Sequence, residues 1–441
     1  MMMTTTTMYS VDLDKISVVD GWVPLVLYGL TALLVVLGLG WRSGIWRRQL
    51  LVAIPGAVVL TGVLALLQTV FDLVNYEFPA TFYLWAGLVL FCVLAAIVGW
   101  PGERAGGRVA SILAIPVAAL LLGQVINAQY AYYPTFGAVT GKVAENQVDA
   151  GDITNREDEV KNTGTLPPSG SVVEVSIPGT KSGFVARNAY VYLPPAYFAD
   201  PRPQLPVIMM LHGSPGDPAN WTQGAEADQT ADAFAAANGG KAPILVTPDI
   251  SGSTEGDSEC VDSPRGNVET YLMTDVMDHL RSQYDVATGP TSLAVVGLST
   301  GATCSLMLGL RHPDQIVAVG DYSGDLRPNL DPPGDALRDL FGGSQQAYDE
   351  HDPTKILPTQ QFPGLGVWFE SGVDDTVSPA AQNELAKLTR AAGIQTCVGE
   401  MPGGHDFDVW KRSFQLTLPW LSGRLGLTPM PDPLPQECTG G

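Results

Sequence analysis

Ser299 stands in the pentapeptide Gly297-Leu298-Ser299-Thr300-Gly301, after the apolar run 293–298 and before a small-residue stretch with helical spacing. In Gly-x-Ser-x-Gly the two glycines remove side chains that would collide at a tight strand-to-helix elbow, which leaves the serine oxygen exposed as a nucleophile. With 48 glycines in 441 residues, the same pattern also fits an ordinary strand-to-helix turn. The distinction rests on whether the rest of the chain supplies an acid and a base in the order serine, acid, histidine.

The chain has five histidines, so the base can be sought by elimination. His212 precedes Ser299 and is out of order. His279 falls in a helical stretch and reads as a packing or surface residue. His312 ends the helix after the elbow in "LRHPD", where it can meet the last helical carbonyls. His351, in "DEHDPT", reads as a solvated turn residue. His405 remains, in "MPGGHDFDVW", on a glycine turn between the last strand and the last helix. An imidazole there supplies the general base that a weakly nucleophilic hydroxyl needs.

The acid belongs on the turn after the strand at 366–371, where "WFESGVDDTVSP" offers Asp374 and Asp375. Asp375, three residues past Gly372 and four before Pro379, is the preferred orienting partner of His405, with Asp374 as the alternative. The strand at 205–211 runs into "HGSPGDPANW". The backbone N–H of Ser214 is there the expected oxyanion donor, together with that of Thr300 after the nucleophile.

The elements that must carry these residues alternate. Apolar runs at 187–193, 205–211, 243–247, 293–298, 316–320, 366–371 and 394–399 read as strands, and 266–284, 299–311, 379–392 and 406–422 have helical spacing. Buried strands interleaved with helices predict an α/β fold, a mostly parallel sheet covered on both faces. The segment 320–335, "GDYSGDLRPNLDPPGD", reads as a solvated loop and a candidate lid, without the spacing of an EF-hand. There is no internal repeat.

Upstream the chain is built for another solvent. Charge-free stretches near 22–41, 50–71, 80–100 and 109–128 each approach the ~20 apolar residues of a membrane-spanning helix. They predict an all-α four-helix transmembrane segment over 1–133, then a polar linker over 134–170 and the α/β domain over 171–441. Arg42, Arg47 and Arg48 lie between the first two spans, and Arg104 and Arg108 between the last two, whereas 72–79 holds Asp72 and Glu77 and no basic residue. The positive-inside rule then leaves the N-terminus and the large domain outside the cytoplasm, on a multi-pass protein of the plasma membrane. The residues before the first span carry three aspartates and one lysine, which argues against a cleaved signal peptide.

Residues 1–133 hold six basic and six acidic groups, so the whole formal charge of −21 belongs to 134–441. That acidity argues against nucleic acid as a partner and against tight electrostatic docking on anionic headgroups. Cys92 lies in the third span. Cys260, Cys304, Cys397 and Cys438 are an even set in a disulfide-permissive compartment, paired here as Cys260–Cys304 and Cys397–Cys438, with buried free thiols as the alternative.

Taken as a set, "YVYLPPAY", "LHGSPGDPANW", "VETYLMTDV", "GLSTGATCSLMLGLRHPD" and "GGHDFDVW" resemble the esterase branch of the α/β-hydrolases. That group includes S-formylglutathione hydrolases and bacterial mycolyltransferases, and the likeness covers about residues 171–425. The resemblance implies acyl cleavage or transfer through an acyl-serine, without metal or organic cofactor. It implies Ser299 as nucleophile, His405 as base, and Ser214 and Thr300 as oxyanion donors; the acid varies within the group. The four-span anchor departs from its soluble members. The expectation is a membrane-embedded serine esterase acting on a lipid or cell-envelope ester, with an acyltransferase of mycolyltransferase type and a non-catalytic binding or assembly protein as the other readings.

Overall fold

The computed structural model describes residues 13–71, 80–330 and 334–438. The expected acidic loop at 72–79, residues 1–12 and part of the candidate lid, 331–333, lie outside the described residues. The chain divides into two compact units, Met1–Gly141 and Lys142–Gly441.

The first unit is helical: α1 (Trp22–Gly38), α2 (Trp46–Phe71), α3 (Ala80–Gly99) and α4 (Ala105–Tyr130). Four helices stand where four spans were expected, and among the described residues three of them, α2, α3 and α4, are long and apolar enough to cross a membrane. With 17 residues, α1 rises about 26 Å. It stops at Gly38, where Leu39 turns to an extended conformation. The second and fourth helices also begin earlier than the charge-free stretches, taking in Arg47 and Arg108. Both guanidinium groups lie over tryptophan rings, Arg47 over Trp46 and Arg108 over Trp100, the arrangement by which long cations reach a membrane interface.

A buried polar knot ties the four helices at that end. Gln49, fully buried, donates from Nε2 to the carbonyls of Gly38 (3.1 Å) and Ala95 (3.1 Å) and to Glu103 Oε1 (3.3 Å), and accepts from the Gly40 N–H (2.8 Å). Ser111 Oγ completes it through the Gly38 carbonyl (3.0 Å) and Glu103 Oε2 (3.3 Å).

The second unit is built on a nine-stranded sheet: β1 (Gln147–Val148), β2 (Ser171–Val175), β3 (Ala189–Leu193), β4 (Val207–Leu211), β5 (Ile244–Thr247), β6 (Leu293–Leu298), β7 (Ile316–Tyr322), β8 (Gly366–Gly372) and β9 (Gln395–Met401). Their order is β1-β2-β3-β5-β4-β6-β7-β8-β9, and every pairing is parallel except those of β3 with β2 and β5. Strands β4, β5, β6 and β8 are buried at every residue, which is why they read as unbroken apolar runs.

Adjacent residues of one strand show both faces covered. Asp321 of β7 accepts from Gln382 of α5 (Ser378–Ala391), while Tyr322 bonds Thr417 of α6 (Phe407–Arg424). Neighbours in a strand point to opposite sides, so α5 and α6 lie on opposite faces.

Residues 134–170, expected as a polar linker, are instead largely structured. They contain a turn of helix at Phe136–Val139, strand β1, and the helix Ala150–Thr163. The helix is polar and buries only Val160, so it left no apolar stripe to read. Its polar side chains hold it: Arg156 Nη1 donates to the Gly170 carbonyl (3.3 Å) and Ser171 Oγ (2.7 Å). The beginning of the candidate lid is likewise not solvated, since Asp321, Tyr322 and Ser323 are buried.

Candidate active site

Ser299 is the turn between β6 and the helix Thr300–Arg311, with φ 55° and ψ −127°. A non-glycine residue in that region is strained, and the surroundings must enforce it. The Ser299 N–H donates to the Tyr322 carbonyl of the neighbouring strand (3.0 Å), and the Ser299 carbonyl accepts from the N–H groups of Ala302 (2.8 Å) and Thr303 (3.3 Å), so the helix starts at once. The flanking glycines are required by space: a Cβ on Gly297 would lie 1.8 Å from the Gly301 carbonyl oxygen, and one on Gly301 would lie 2.3 Å from that of Leu211. The sequence pattern is therefore a crowded elbow and not an ordinary turn.

His405 comes from the loop after β9. Asp406 caps α6 by accepting from the Val409 N–H (2.9 Å) and folds the loop back by accepting from the Gly404 N–H (2.9 Å). The imidazole stands edge-on to Trp410, ring centroids 5.1 Å apart at 87°. Its Nε2 lies 2.9 Å from Ser299 Oγ and its Nδ1 2.8 Å from Asp375 Oδ2. Carboxylates only accept, so the partners assign the proton to Nδ1 and leave Nε2 to accept from the serine hydroxyl.

Asp375 is buried and Asp374 exposed, which separates the two candidates for the acid. Besides His405, the Asp375 carboxylate accepts at Oδ1 from the N–H groups of Val377 (3.1 Å) and Ser378 (3.1 Å). Burial pushes this carboxyl up, but the hydrogen bond and charge of His405 and the two backbone donors outweigh it and hold it well below the usual carboxylate range. Asp374 contributes its backbone, donating to the Gly403 carbonyl (2.9 Å). The acid turn and the histidine loop approach so closely that a Cβ on Gly372 would sit 2.3 Å from that same carbonyl.

The segment 212–217 abuts the nucleophile from the other side: a Cβ on Gly213 would lie 3.1 Å from Ser299 Cβ. Ser214 follows, its Oγ donating to the Gly256 carbonyl (3.1 Å), and Thr300 is the first residue of the nucleophile helix. The disulfides join the expected partners, Cys260–Cys304 and Cys397–Cys438. The first ties the loop after β5 to the nucleophile helix.

Two histidines differ from their sequence reading. His312 and His351 converge on the buried Glu269, at 2.8 Å from Oε1 and 3.3 Å from Oε2, beside Arg311 Nε at 2.8 Å from Oε1. His351 is thus a packed residue and not a solvated one. Sequence reasoning also missed Arg187, whose partners Asp217 and Asp249 are 30 and 62 residues away. Asp249 carried a faint signal, an acid at the end of an apolar run; Arg187 carried none.

A parallel sheet with helices on both faces and a serine elbow at the end of a central strand define an α/β-hydrolase. The chain belongs to the esterase family described as Putative esterase, whose model matches residues 185–421. An uncharacterized protein of Corynebacterium glutamicum is 32% identical over 417 residues, covering 90% of this chain and 94% of that protein. A match of that extent includes much of the helical unit as well. The diacylglycerol acyltransferase/mycolyltransferase Ag85A of Mycobacterium leprae is 28% identical over 191 residues, 36% of this chain and 57% of that protein. Among solved structures, a ferulic acid esterase superposes with a TM-score of 0.51 at 20% identity, over 58% of this chain and 98% of its own. An S-formylglutathione hydrolase from Agrobacterium tumefaciens gives 0.50 at 17%, over 59% and 98%. These two likenesses show the fold.

Proposed function

We propose that the chain is a membrane-anchored serine esterase whose catalytic unit, Lys142–Gly441, lies outside the cytoplasm and cleaves an ester of a membrane lipid or envelope component. The observation that carries this reading is the unbroken relay from Ser299 Oγ through the two nitrogens of His405 to Asp375. His405 Nε2 takes the hydroxyl proton as Ser299 Oγ attacks the ester carbonyl, and Asp375 holds the ring and stabilises the imidazolium. The oxyanion accepts from the N–H groups of Ser214 and Thr300. The intermediate collapses to an acyl-serine as His405 gives its proton to the departing alcohol. A water activated by the same nitrogen then releases the acid.

The likeness to a mycolyltransferase favours a second reading of the same site, in which a sugar hydroxyl replaces that water. One experiment addresses both: the detergent-solubilised chain is given a short-chain chromogenic ester with and without a polyol acceptor. Ester cleavage lost in Ser299→Ala supports the esterase. Acyl transfer to the polyol exceeding release to water selects the transferase, and no turnover under either condition returns the chain to the binding-protein reading. The outside location follows from the arginine loops; cysteine probes at Asp374 and Lys411 in intact cells should label without permeabilisation, and labelling only after permeabilisation would reverse it.

A further inference from the structure

The oxyanion segment is held by a network that the triad does not use. Arg187 spans it: Nη1 donates to the Gly216 carbonyl (3.0 Å) and Asp217 Oδ2 (2.9 Å), Nη2 to Asp249 Oδ1 (2.7 Å) and Ser251 Oγ (3.0 Å), and the backbone N–H to Asp249 Oδ2 (2.8 Å). Asp249, completely buried, also accepts from the N–H groups of Ser251 (3.1 Å) and Gly252 (3.0 Å). His212, equally buried, lies between this ion pair and the nucleophile. Its Nε2 faces the Ile250 N–H (3.3 Å), Asp249 Oδ1 (3.4 Å) and Arg187 Nη2 (3.5 Å). A carbonyl oxygen only accepts, so Nδ1 carries a proton and donates it to the Gly213 carbonyl (2.7 Å).

The Gly213 carbonyl and the Ser214 N–H belong to one peptide unit. That peptide is not among the cis bonds of the chain, and in a trans peptide the N–H points opposite to the C=O. A bond that fixes the Gly213 oxygen therefore fixes the direction of the Ser214 N–H. The Gly216 carbonyl, two residues on, is pinned by Arg187 itself, so both sides of Ser214-Pro215 are held by side chains.

We propose that Arg187 and His212 are positioning residues for the oxyanion donor: the guanidinium, paired with Asp249, sets the placement of His212, and His212 aims the Ser214 N–H at the developing oxyanion. This rests on the esterase reading of Ser299. Neither residue touches the reacting atoms, and their loss acts on the transition state more than on substrate binding, because the oxyanion bond tightens only as charge develops.

The test uses the full detergent-solubilised chain, a short-chain chromogenic ester, and a boronic acid that forms a tetrahedral adduct with the serine. Sites are counted by titration, so that misfolded molecules drop out of every rate. In Arg187→Lys and His212→Gln we expect kcat per titrated site to fall about 10- to 100-fold, KM to stay within about threefold, and boronate affinity to fall by the same factor as kcat, somewhat less than the loss on deleting an oxyanion donor outright. Asp217→Asn, at the more exposed end of the guanidinium, should give a smaller fall of the same kind and serves where the other variants do not fold. Rates per site within twofold of wild type in these variants overturn the positioning role, as does a change confined to the fraction of titratable sites. A wild type that neither turns over nor titrates would instead refute the esterase reading.

Discussion

Asp374 and Asp375 are chemically similar and one bond apart, yet only Asp375 turns inward, because the N–H groups of Val377 and Ser378 and the His405 imidazole all offer it donors. With its carboxyl held well below the ordinary carboxylate range, Asp375 is ionised at neutral pH and holds the histidine tautomer. Asp375→Asn should lower kcat by about 10³–10⁴-fold with little change in KM. Asp374→Asn, which keeps the backbone bond to Gly403, should stay within about twofold. Steady-state kinetics on the two variants checks the assignment; the reverse pattern would move the acid to Asp374. Ser299 and His405 were legible in the sequence because glycine spacing and chain order constrain them. The choice between the aspartates was not, since the direction of a loop side chain is set by tertiary donors. Arg187 was invisible because every charged partner it has is distant in sequence.

At the scale of elements, the apolar strands were legible from their runs, and the helices at 299–311, 379–392 and 406–422 from their spacing. The helix Ala150–Thr163 was not, because polar contacts and not an apolar stripe hold it. The nucleophile helix depends on the disulfide Cys260–Cys304, which closes a loop of sequence separation 44. In the chain-entropy account that crosslink stabilises by about 4 kcal/mol, with engineered and native cases commonly giving ~2–4. The double variant Cys260→Ser/Cys304→Ser should lose stability in that range, read from denaturant unfolding of the catalytic unit in the full chain; an unchanged midpoint would contradict it. The helical unit has its own critical residue. Gln49→Leu leaves the Gly40 N–H without its side-chain acceptor and takes from the Gly38 and Ala95 carbonyls the donor they share, Gly38 keeping Ser111 Oγ, at about 1–3 kcal/mol for a buried group left unpaired. A lower detergent melting temperature for the helical unit is expected, and an unchanged one would show the knot to be dispensable.

The whole molecule carries two sets of buried carboxyls that respond oppositely to pH. Burial pushes Asp228, Asp321 and Glu370 up to about 7. In Asp249, Glu269 and Asp375 burial is outweighed, by His212 and Arg187, by His312, His351 and Arg311, and by His405 respectively, and each is held well below its ordinary value. For the raised group the folded state binds more protons than the unfolded one between the ordinary carboxyl value of about 4 and about 7, so stability falls as pH rises through that window. For the depressed group the unfolded state binds more protons below about 4.5, so stability falls as pH drops. Stability of the full chain should therefore peak on the acid side of neutrality, near pH 5. Asp321→Asn should flatten the decline between pH 5 and 7, as followed by thermal unfolding across pH. A profile still rising from pH 5 to 8 would contradict this account.

The central claim is that Ser299 is an activated nucleophile, and a fluorophosphonate probe reads that property without knowledge of the substrate. The detergent-solubilised chain should become covalently labelled at Ser299. Labelling should vanish in Ser299→Ala and fall sharply in His405→Ala, because the hydroxyl is a weak nucleophile without its base. A correctly folded wild type that stays unlabelled beside a reactive control esterase would contradict the account.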